Sequence, residues 1–446
     1  MLKYLVIKDE RYAKNSIHKN TGGIVMYVDM NSFFASCEQQ LDPALRGKPV
    51  GVCPYESPNA AVIAVSLEAK ALGITTGMRL IECRQICPQL IIRPSQPVKY
   101  RQFHIAIINV LKKYCNDVIP KSIDEAILNF TSYKLVYKDF LLIARQIKCD
   151  IKKQADYLKC SIGIAPNAFL AKLATDLQKP DGLVEITADN IDEHLKKLQL
   201  TDLPGIASAN ERRLQKVGIY TPLEMRYASI SLLRKAFGGI VGYYWHCRLH
   251  FYEVDLYVNQ TKSMGAGRTI SGQQSSSLQT LDALIISLCT RLEQRMVKQS
   301  VFCRQALFSV GYKNRSDWKT VFHFANPLQD AIEFRSYIMH RIKEYEIACP
   351  ASSVLCKDVF SINITVLDFI KEEIIQYNLF DNRIQQDKLR KTMYLIKNKY
   401  GKNSVRKACE TIEPDVMKDA IGFGSVKELM ADDDTGSSLN NFLLED

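Results

Sequence analysis

The chain has 446 residues, which is too many for one hydrophobic core and predicts about three or four domains. Its 47% hydrophobic and 24% charged residues exclude wholesale disorder, and its net charge of +11 favours a polyanionic partner, with a basic surface that serves solubility alone as the alternative. No apolar stretch reaches the ~18 residues of a membrane span, so we expect no membrane partner.

The first part of the chain alternates strand and helix patterns. A β-branched run over 24–29 predicts a strand that ends in Asp29, and a helix is expected over 33–40. The Pro- and Gly-rich stretch 42–59 predicts a loop. The segments after it indicate a strand over 60–65, short helices over 66–72 and 79–87, and a longer helix over 99–116.

The alternation continues in the middle of the chain. Strands interleaved with helices on one layer predict an α+β sheet of the split βαβ kind. The pattern indicates a strand over 123–130, a helix over 133–154, a strand over 160–164 and a helix over 168–177.

The pattern changes after residue 189. It is all-helical over 189–255 and loses its periodicity over 256–265. Beyond that interruption we expect strands over 306–312 and 359–366 and helices over 281–299 and 327–346.

The 13 cysteines are scattered along the chain and form no C-x-x-C pair. This usage indicates reduced thiols that pack as small apolar side chains, and it argues against disulfides or a structural zinc site. The charged N-terminus excludes a secretory signal. We therefore expect a soluble protein of the cytoplasm.

Three acids stand out because they lie on or at the end of predicted strands: Asp29, Asp124 and Glu125. Adjacent strand residues face opposite sides, so at least one of Asp124 and Glu125 would face the covered side of its sheet. Such a carboxylate cluster is stable when hard divalent cations neutralise it, and two magnesium ions would hold a triphosphate for in-line attack. Taken alone, exposed or salt-bridged acids explain this pattern equally well.

The acids belong to a set of short motifs that occur in a fixed order: VDMNSFFASCE (28–38), SIDEA (122–126), and SIGIAPN with LAKLA (161–167 and 170–174). Together they resemble the Y-family, or translesion, DNA polymerases, and the resemblance covers about residues 24–425. The first motif and residues 66–73 are most similar to the bacterial UmuC-like branch, and residues 161–172 are similar to the DinB branch as well.

The resemblance implies an α+β multidomain fold of the right-hand polymerase type. Its parts would be a ferredoxin-like palm, small fingers, a helical thumb with a helix-hairpin-helix, and an α/β little finger. The implied bounds are 22–33 and 96–184 for the palm, 34–95 for the fingers, 185–255 for the thumb, 256–265 for a linker, 266–370 for the little finger and 371–446 for a C-terminal tail.

By the same resemblance, Asp29, Asp124 and Glu125 would be the catalytic carboxylates that bind two Mg²⁺ ions, for which Mn²⁺ can substitute. The backbone carbonyl of Met30 would be a further metal ligand.

The resemblance also implies a nucleotide site. Backbone amides near Ser32 and Phe33 would meet the phosphates of a dNTP, and Lys70 and Lys172 would contact its triphosphate. The ring of Phe34 would be a steric gate that excludes a 2′-hydroxyl by a clash. Without the motif context, a core aromatic and solvated lysines explain these residues better.

Four residues depart from the family pattern. Members often have Tyr and Arg where this chain has Leu67 and Lys70, and Asp where it has Asn31 and Asn129. Leu67 cannot hydrogen-bond a phosphate, and Lys70 lacks the guanidinium fork of arginine. These departures put nucleotide affinity and rate in question, but they remove no metal ligand.

Two regions are expected to hold DNA. Residues 201–219 resemble a helix-hairpin-helix in which Pro204, Gly205 and Ala207 lie at the phosphate-binding hairpin, where Ala207 replaces a common glycine. Residues 262–319 carry nine basic against three acidic residues, which suits a sheet that holds a phosphate backbone, with a generic solvated face as the alternative. The basic residues singled out there are Arg268, Arg304, Lys313 and Arg315.

The segment QYNLFD, residues 376–381, looks like the peptide that binds the bacterial β-type sliding clamp, with Gln376, Leu379 and Phe380 as anchors. The alternative is a strand or helix end that packs on its own domain. An accessory UmuD-like subunit is a further partner that the resemblance allows.

The sequence thus predicts a template-directed DNA polymerase of low fidelity that bypasses damaged bases, located in the bacterial cytoplasm at the nucleoid. Its partners would be primer-template DNA and dNTPs. One alternative is a catalytically inactive polymerase-like scaffold that binds DNA and the clamp. Another is a nucleotide cyclase, which shares a palm-like sheet and paired acids.

Overall fold

The computed structural model describes residues 23–256, 262–270, 277–350, 352–376, 382–401 and 404–408. The chain divides into two compact units, and the division after Val258 falls inside the predicted linker. The first unit contains the described residues up to 256, and the second contains those from 262 onward. Within these ranges no helix combines the length and the apolar character that a membrane crossing needs.

A five-stranded sheet forms the centre of the first unit, and its middle strand is β1 (Val25–Met30). All six residues of β1 are buried, which explains the apolar run that precedes Asp29. The sheet order is β5-β6-β1-β7-β8, and both neighbours of β1 are antiparallel to it. The other strands are β5 (Val118–Pro120), β6 (Glu125–Asn129), β7 (Cys160–Ala165) and β8 (Leu183–Glu185).

Helices cover both faces of this sheet because side chains of β1 alternate between them. Met26 and Val28 join one core with residues of α4 (Pro97–Lys112) and α5 (Phe140–Gln154), whereas Val25 and Tyr27 join another with α6 (Ala168–Leu177). The helix expected from residue 133 begins only at Phe140, because the side chain of Asp139 caps it by accepting from the Leu142 N–H.

The helix α6 packs directly on the backbone of β7. A Cβ atom added to Gly163 would lie 2.1 Å from the carbonyl oxygen of Ala171 and 2.7 Å from Ala174 Cβ. Only glycine therefore permits this close approach of helix to strand.

A second, three-stranded sheet of order β3-β2-β4 lies in the segment predicted as fingers. The loop expected over 42–59 contains its central strand β2 (Val50–Cys53), so that prediction is wrong: a buried strand of four residues is too short to outweigh the prolines and glycines around it. The strand expected over 60–65 is reduced to Ala64–Val65. The remaining elements are α1 (Phe33–Leu41), β3 (Ala64–Val65), α2 (Leu67–Ala71), α3 (Leu80–Ile86) and β4 (Ile91–Pro94).

The end of the first unit is helical, as the pattern predicts. Its buried residues, among them Leu214, Met225, Leu233 and Trp245, share one core with α6. The helices are α7 (Ile191–Leu195), α8 (Ser208–Gln215), α9 (Pro222–Tyr227), α10 (Ile230–Phe237) and α11 (Ile240–Leu249).

The second unit is a four-stranded sheet of order β11-β10-β12-β9 with two helices packed on one face. Alternate residues of its strands, such as Ala306, Phe308 and Val310, are buried beneath those helices. The elements are β9 (Ser263–Thr269), α12 (Leu278–Lys298), β10 (Val301–Tyr312), β11 (Trp318–Leu328), α13 (Ala331–Ala348) and β12 (Val359–Lys371).

The segment expected to be a tail contains a further helix, α14 (Arg383–Tyr400), which is anchored on the second unit. Glu293 of α12 is fully buried, and it accepts hydrogen bonds from Lys407 Nζ at 2.7 Å and Tyr394 Oη at 2.8 Å. Arg390, also buried, contacts Asp387 at 2.8 Å and Asp330 at 3.3 Å. Lone charges at these positions would be costly to bury, so the helix and the domain stabilise each other.

Candidate active site

The register of the central sheet brings the three predicted acids to one edge. Asp29, near the end of β1, lies opposite Glu125, the first residue of β6. The N–H of Met30 donates to the backbone carbonyl of Asp124 at 2.9 Å, which holds that residue beside the same strand end. Acids that are 95 positions apart in the chain therefore face one cleft.

The cleft has a volume of about 910 Å³. It lies between the strand ends of the central sheet and the helices α1 and α2. Its walls include every residue predicted to bind metal or nucleotide: Asp29, Met30, Ser32, Phe33, Phe34, Lys70, Asp124, Glu125 and Lys172.

Two lysine ammonium groups contact the acids. Lys172 Nζ bonds Asp29 Oδ2 and lies 2.6 Å from Glu125 Oε1. Lys179 Nζ lies 2.9 Å from Asp29 Oδ2 and 2.7 Å from Asp176 Oδ1. Sequence reasoning missed Lys179, because the Lys-Pro-Asp-Gly run after α6 reads simply as the end of a helix.

The acids differ in how their charge is compensated. Burial favours a raised pKa for Asp29, but the ammonium groups of Lys172 and Lys179 outweigh it and lower that pKa. The same carboxylates raise the pKa of Lys172 despite its burial. The shift has the opposite direction in Asp124: burial, with the nearby charges of Glu125 and Asp29, raises its pKa to about 6.

The donor set fits divalent metal ions. It consists of carboxylate oxygens, which hard cations such as Mg²⁺ prefer. A bound cation would also offset the burial that raises the pKa of Asp124. In the described ranges no three Asp, Glu, His or Cys side chains are grouped as one metal site, and Lys172 contacts both Asp29 and Glu125.

The helix α1 directs its N-terminus at the cleft. Its N-cap is Ser32, which has a left-handed backbone (φ 51°) and whose buried hydroxyl has no hydrogen-bond partner among the residues that the structure describes. The first N–H groups of a helix have no partner within it, and the helix dipole is positive at this end. This part of the cleft can therefore bind an anion such as a phosphate.

The ring of Phe34 forms part of the cleft wall and is held from behind. It stacks on Tyr100 with 4.5 Å between ring centroids and 13° between planes. Tyr100 Oη donates to the buried carboxylate of Glu38 at 2.6 Å, and Gln96 Nε2 donates to the same group at 3.0 Å. Sequence reasoning found neither Tyr100 nor Glu38, since their contacts link residues about 60 positions apart.

The departures from the family pattern have different places in the structure. Asn31 accepts from the Asp181 N–H at 2.8 Å and donates to Ser161 Oγ at 3.1 Å, so it fixes the loop that carries Lys179. Asn129 bonds Asp117 at the far end of β6, away from the three acids. Leu67 and Lys70 both line the cleft, and burial together with the charge of Lys179 lowers the pKa of Lys70.

The hairpin residues precede the helix α8. Gly205 has a left-handed backbone (φ 92°), as a tight turn requires, and its carbonyl accepts from Asn210 Nδ2 at 3.1 Å. Ala207 is the N-cap of α8 and is exposed, and Pro204 is half-buried. Gly205 and Ala207 are thus both exposed at the turn that precedes α8.

The four basic residues predicted to hold DNA on the second unit differ in their exposure and contacts. Arg304 and Lys313 are exposed. Arg268 is half-buried and shares the alternation of Met264, which faces the helices. Arg315 stacks on the ring of Tyr312 at 3.7 Å and donates to the Ser353 carbonyl at 2.5 Å, which ties it to its own domain.

The predicted clamp-binding peptide begins at Gln376, which lies beside α14 in a pocket shared with Asp387 and Arg390. Leu379 and Phe380 lie outside the described residues.

Two family models match this chain, and bacterial DNA polymerases are among its relatives. The family model "impB/mucB/samB family" matches residues 28–176, and that of its C-terminal domain matches residues 261–379. DNA polymerase IV of Gluconobacter oxydans is 32% identical over 261 residues, which are 58% of this chain and 73% of that protein. DNA polymerase IV 1 of Bacillus subtilis is 28% identical over 396 residues, which are 86% of this chain and 92% of that protein.

Solved structures show the same fold. The Y-family DNA polymerase chimera Dbh-Dpo4(243-245)-Dbh aligns with a TM-score of 0.66 at 24% identity, over 78% of this chain and 99% of that one. An insertion ternary complex of Dbh DNA polymerase aligns over the same shares with a TM-score of 0.54 and 24% identity. The predicted fold class is confirmed.

Proposed function

The chain belongs to the impB/mucB/samB family of Y-family, or translesion, DNA polymerases, and we propose that the cleft at the end of β1 is its polymerase active site. It is a DNA-directed DNA polymerase that extends a primer along a template and tolerates damaged bases. The alternative of an inactive scaffold has no support from its relatives.

One observation supports this assignment most strongly. A single cleft combines acids that suit metal ions, a helix N-terminus that suits phosphates, two lysines, and an aromatic ring braced against a second ring. These are the groups that nucleotidyl transfer requires, because it needs charge neutralisation and positioning rather than covalent chemistry from the protein.

Asp29, Asp124 and Glu125 would hold two Mg²⁺ ions, or Mn²⁺ in their place, together with the carbonyl of Met30. Bound there, such ions activate the primer 3′-hydroxyl and neutralise charge on the phosphates. The 3′-oxygen would then form a bond to the α-phosphorus of the dNTP while the bond between the α- and β-phosphates breaks. Pyrophosphate would leave, and the proton of the hydroxyl would pass to water.

The other cleft residues would bind and select the nucleotide. The N–H groups at Ser32 and Phe33 would bind phosphate oxygens, and Lys70 and Lys172 would stabilise the charge that develops on pyrophosphate. Phe34 would lie against the sugar, where its braced ring leaves no room for a 2′-hydroxyl.

DNA and partner proteins would bind elsewhere on the chain. The hairpin at Pro204, Gly205 and Ala207 would grip duplex phosphates through backbone N–H groups, and Arg304 and Lys313 would contact the backbone from the second unit. Arg268 and Arg315 would contribute at the edge of that surface. We further propose the sliding clamp and a UmuD-like subunit as partners, at the bacterial nucleoid.

Primer extension with Asp124→Asn tests the assignment. The substitution keeps the size of the side chain but removes its charge, so we expect the rate of nucleotide addition to fall roughly 10²-fold or more. Asp150→Asn, on the surface of α5 where Asp150 pairs with Lys153, is the control and should extend primers like the wild type. Full activity of the Asp124 variant would show that the active site lies elsewhere.

A further inference from the structure

Lys179 is a charged residue of the cleft to which the proposed reaction assigns no role. It lies in the loop that follows α6, and its Nζ is 2.9 Å from Asp29 Oδ2. The same ammonium lies 2.7 Å from Asp176 Oδ1, so it bridges an acid in the catalytic set and an acid outside it.

The loop that carries Lys179 is fixed at several points. Asn31 accepts from the N–H of Asp181, and Lys148 Nζ donates to the Asp181 carbonyl at 2.6 Å. The Gly182 N–H donates to Ser161 Oγ at 3.2 Å. With the backbone held by these bonds, any change of partner by Lys179 requires movement of its side chain alone.

Positive charge is distributed unevenly over the acids. Asp29 contacts two ammonium groups, those of Lys172 and Lys179, whereas the side chain of Asp124 has Ser122 as its hydrogen-bond partner. A divalent cation that joined Asp29 would place further positive charge against both lysines. Both lysines have a second carboxylate in contact, but that of Lys172 is Glu125, which belongs to the proposed metal set, at 2.6 Å. Lys179 instead contacts Asp176, outside that set, at 2.7 Å, so Lys179 is the lysine that can move away from Asp29 and keep a partner.

We propose that Lys179 is the counter-ion of Asp29 in the metal-free enzyme and stabilises that state. When a divalent cation binds Asp29, the ammonium of Lys179 moves away from Asp29 and keeps its contact with Asp176. Lys179 is thus a positioning residue, and it competes with the metal ion for one carboxylate. This inference rests on the proposed metal site at Asp29, Asp124 and Glu125.

Mn²⁺ binding to the free enzyme tests the proposal without DNA, nucleotide or turnover. The amplitude of the electron paramagnetic resonance signal of free Mn²⁺ gives the dissociation constant. Lys179→Met removes the competitor, so Mn²⁺ should bind roughly 3- to 10-fold more tightly than to the wild type. Lys179→Arg keeps the charge and should leave the affinity near the wild-type value.

A matched control separates this effect from the loss of any paired lysine. Lys153 Nζ lies 2.7 Å from the carboxylate of Asp150, and Asp150 precedes Lys153 by three residues. The Lys179–Asp176 pair has the same sequence spacing and the same distance. Lys153→Met should therefore not change Mn²⁺ affinity. The gain in Lys179→Met must also disappear when Asp29 is changed to Asn, because no carboxylate is then contested.

Thermal unfolding supplies a second readout. In EDTA, Lys179→Met should unfold at a lower temperature than the wild type, since buried Asp29 loses one of its two counter-ions. Added Mn²⁺ should raise the unfolding temperature of this variant more than that of the wild type. Unchanged or weaker Mn²⁺ binding by Lys179→Met would overturn the counter-ion role, and the Asp124→Asn primer-extension result would still decide the active site separately.

Discussion

The ring of Phe34 is positioned by side chains that never reach the cleft themselves. Tyr100 is completely buried behind it, and Glu38 fixes the tyrosine hydroxyl. A ring braced in this way cannot swing aside at low cost, because its neighbour is locked by a buried hydrogen bond. Selection against ribonucleotides would thus depend on rigidity as much as on size.

Phe34→Ala should increase ribonucleotide incorporation at least about tenfold relative to deoxynucleotides, since the clash with the 2′-hydroxyl is removed. The measurement is single-nucleotide primer extension with rNTP and dNTP, compared as kcat/KM. Phe34→Leu keeps much of the bulk and should change the selectivity less. If Phe34→Ala discriminates as well as the wild type, another group is the gate.

Individual residues also show where sequence reasoning reaches its limit. Asp29, Asp124 and Glu125 could be proposed from the sequence because their types, strand positions and motif context all agree. Lys179 and Glu38 could not, because each acts through a contact that only the folded chain creates. A solvated lysine and a partner of a buried acid look alike in sequence.

At the scale of helices and strands, the sequence predicts an element best when the element is long, regular in its pattern and capped. The helix α6 has the predicted bounds because Asn167 caps it and its period is regular. The strand β2 was missed because four buried residues carry too little pattern. The helix α14 was missed because three of its four buried residues, Asp387, Arg390 and Lys397, are charged and only Tyr394 is aromatic, so the hydrophobic pattern is weak.

The buried ion pairs of Arg390 on α14 lead to a prediction about stability. Arg390→Leu should lower the free energy of unfolding of the second unit by about 3 kcal/mol, because Asp387 and Asp330 would lose a buried partner. Urea unfolding followed by fluorescence measures this in a Trp245→Phe background, where Trp318 is the remaining tryptophan.

The matched control is Arg341→Leu, which breaks the exposed pair with Glu344 on α13. An exposed pair contributes at most about 1 kcal/mol, so this variant should unfold close to the wild type. Equal loss of stability in the two variants would contradict a structural role for the buried anchor.

At the scale of the whole molecule, the two units contain different sets of the predicted functional residues. The first contains the cleft, and the second contains the exposed basic residues and the start of the predicted clamp peptide. The motif order predicted the family and fold class of the entire chain. It could not predict that helix α14 follows the clamp peptide and packs back on the second unit.

Replacing Gln376, Leu379 and Phe380 together by Ala should abolish stimulation by the sliding clamp, a loss of about tenfold or more, while unstimulated synthesis continues. The three side chains are the predicted anchors for an apolar groove on the clamp. Primer extension on a long template with and without the loaded clamp measures the effect.

The control variant replaces Gln385, Leu389 and Tyr400 by Ala. These residues are exposed on α14 and match Gln376, Leu379 and Phe380 in chemical type. This variant should respond to the clamp like the wild type. Stimulation that survives in the anchor variant would assign clamp binding to another surface.

The contact between Gly163 and α6 affects where Lys172 lies in the proposed active site. Lys172 follows Ala171, whose carbonyl oxygen would lie only 2.1 Å from a methyl group at position 163. The height of the ammonium above Asp29 and Glu125 is therefore fixed by the absence of one carbon atom on a strand. A side chain at position 163 would push α6 away from β7, and with it the ammonium of Lys172 away from Asp29 and Glu125. The ion pairs of Lys172 therefore depend on a glycine that touches neither acid.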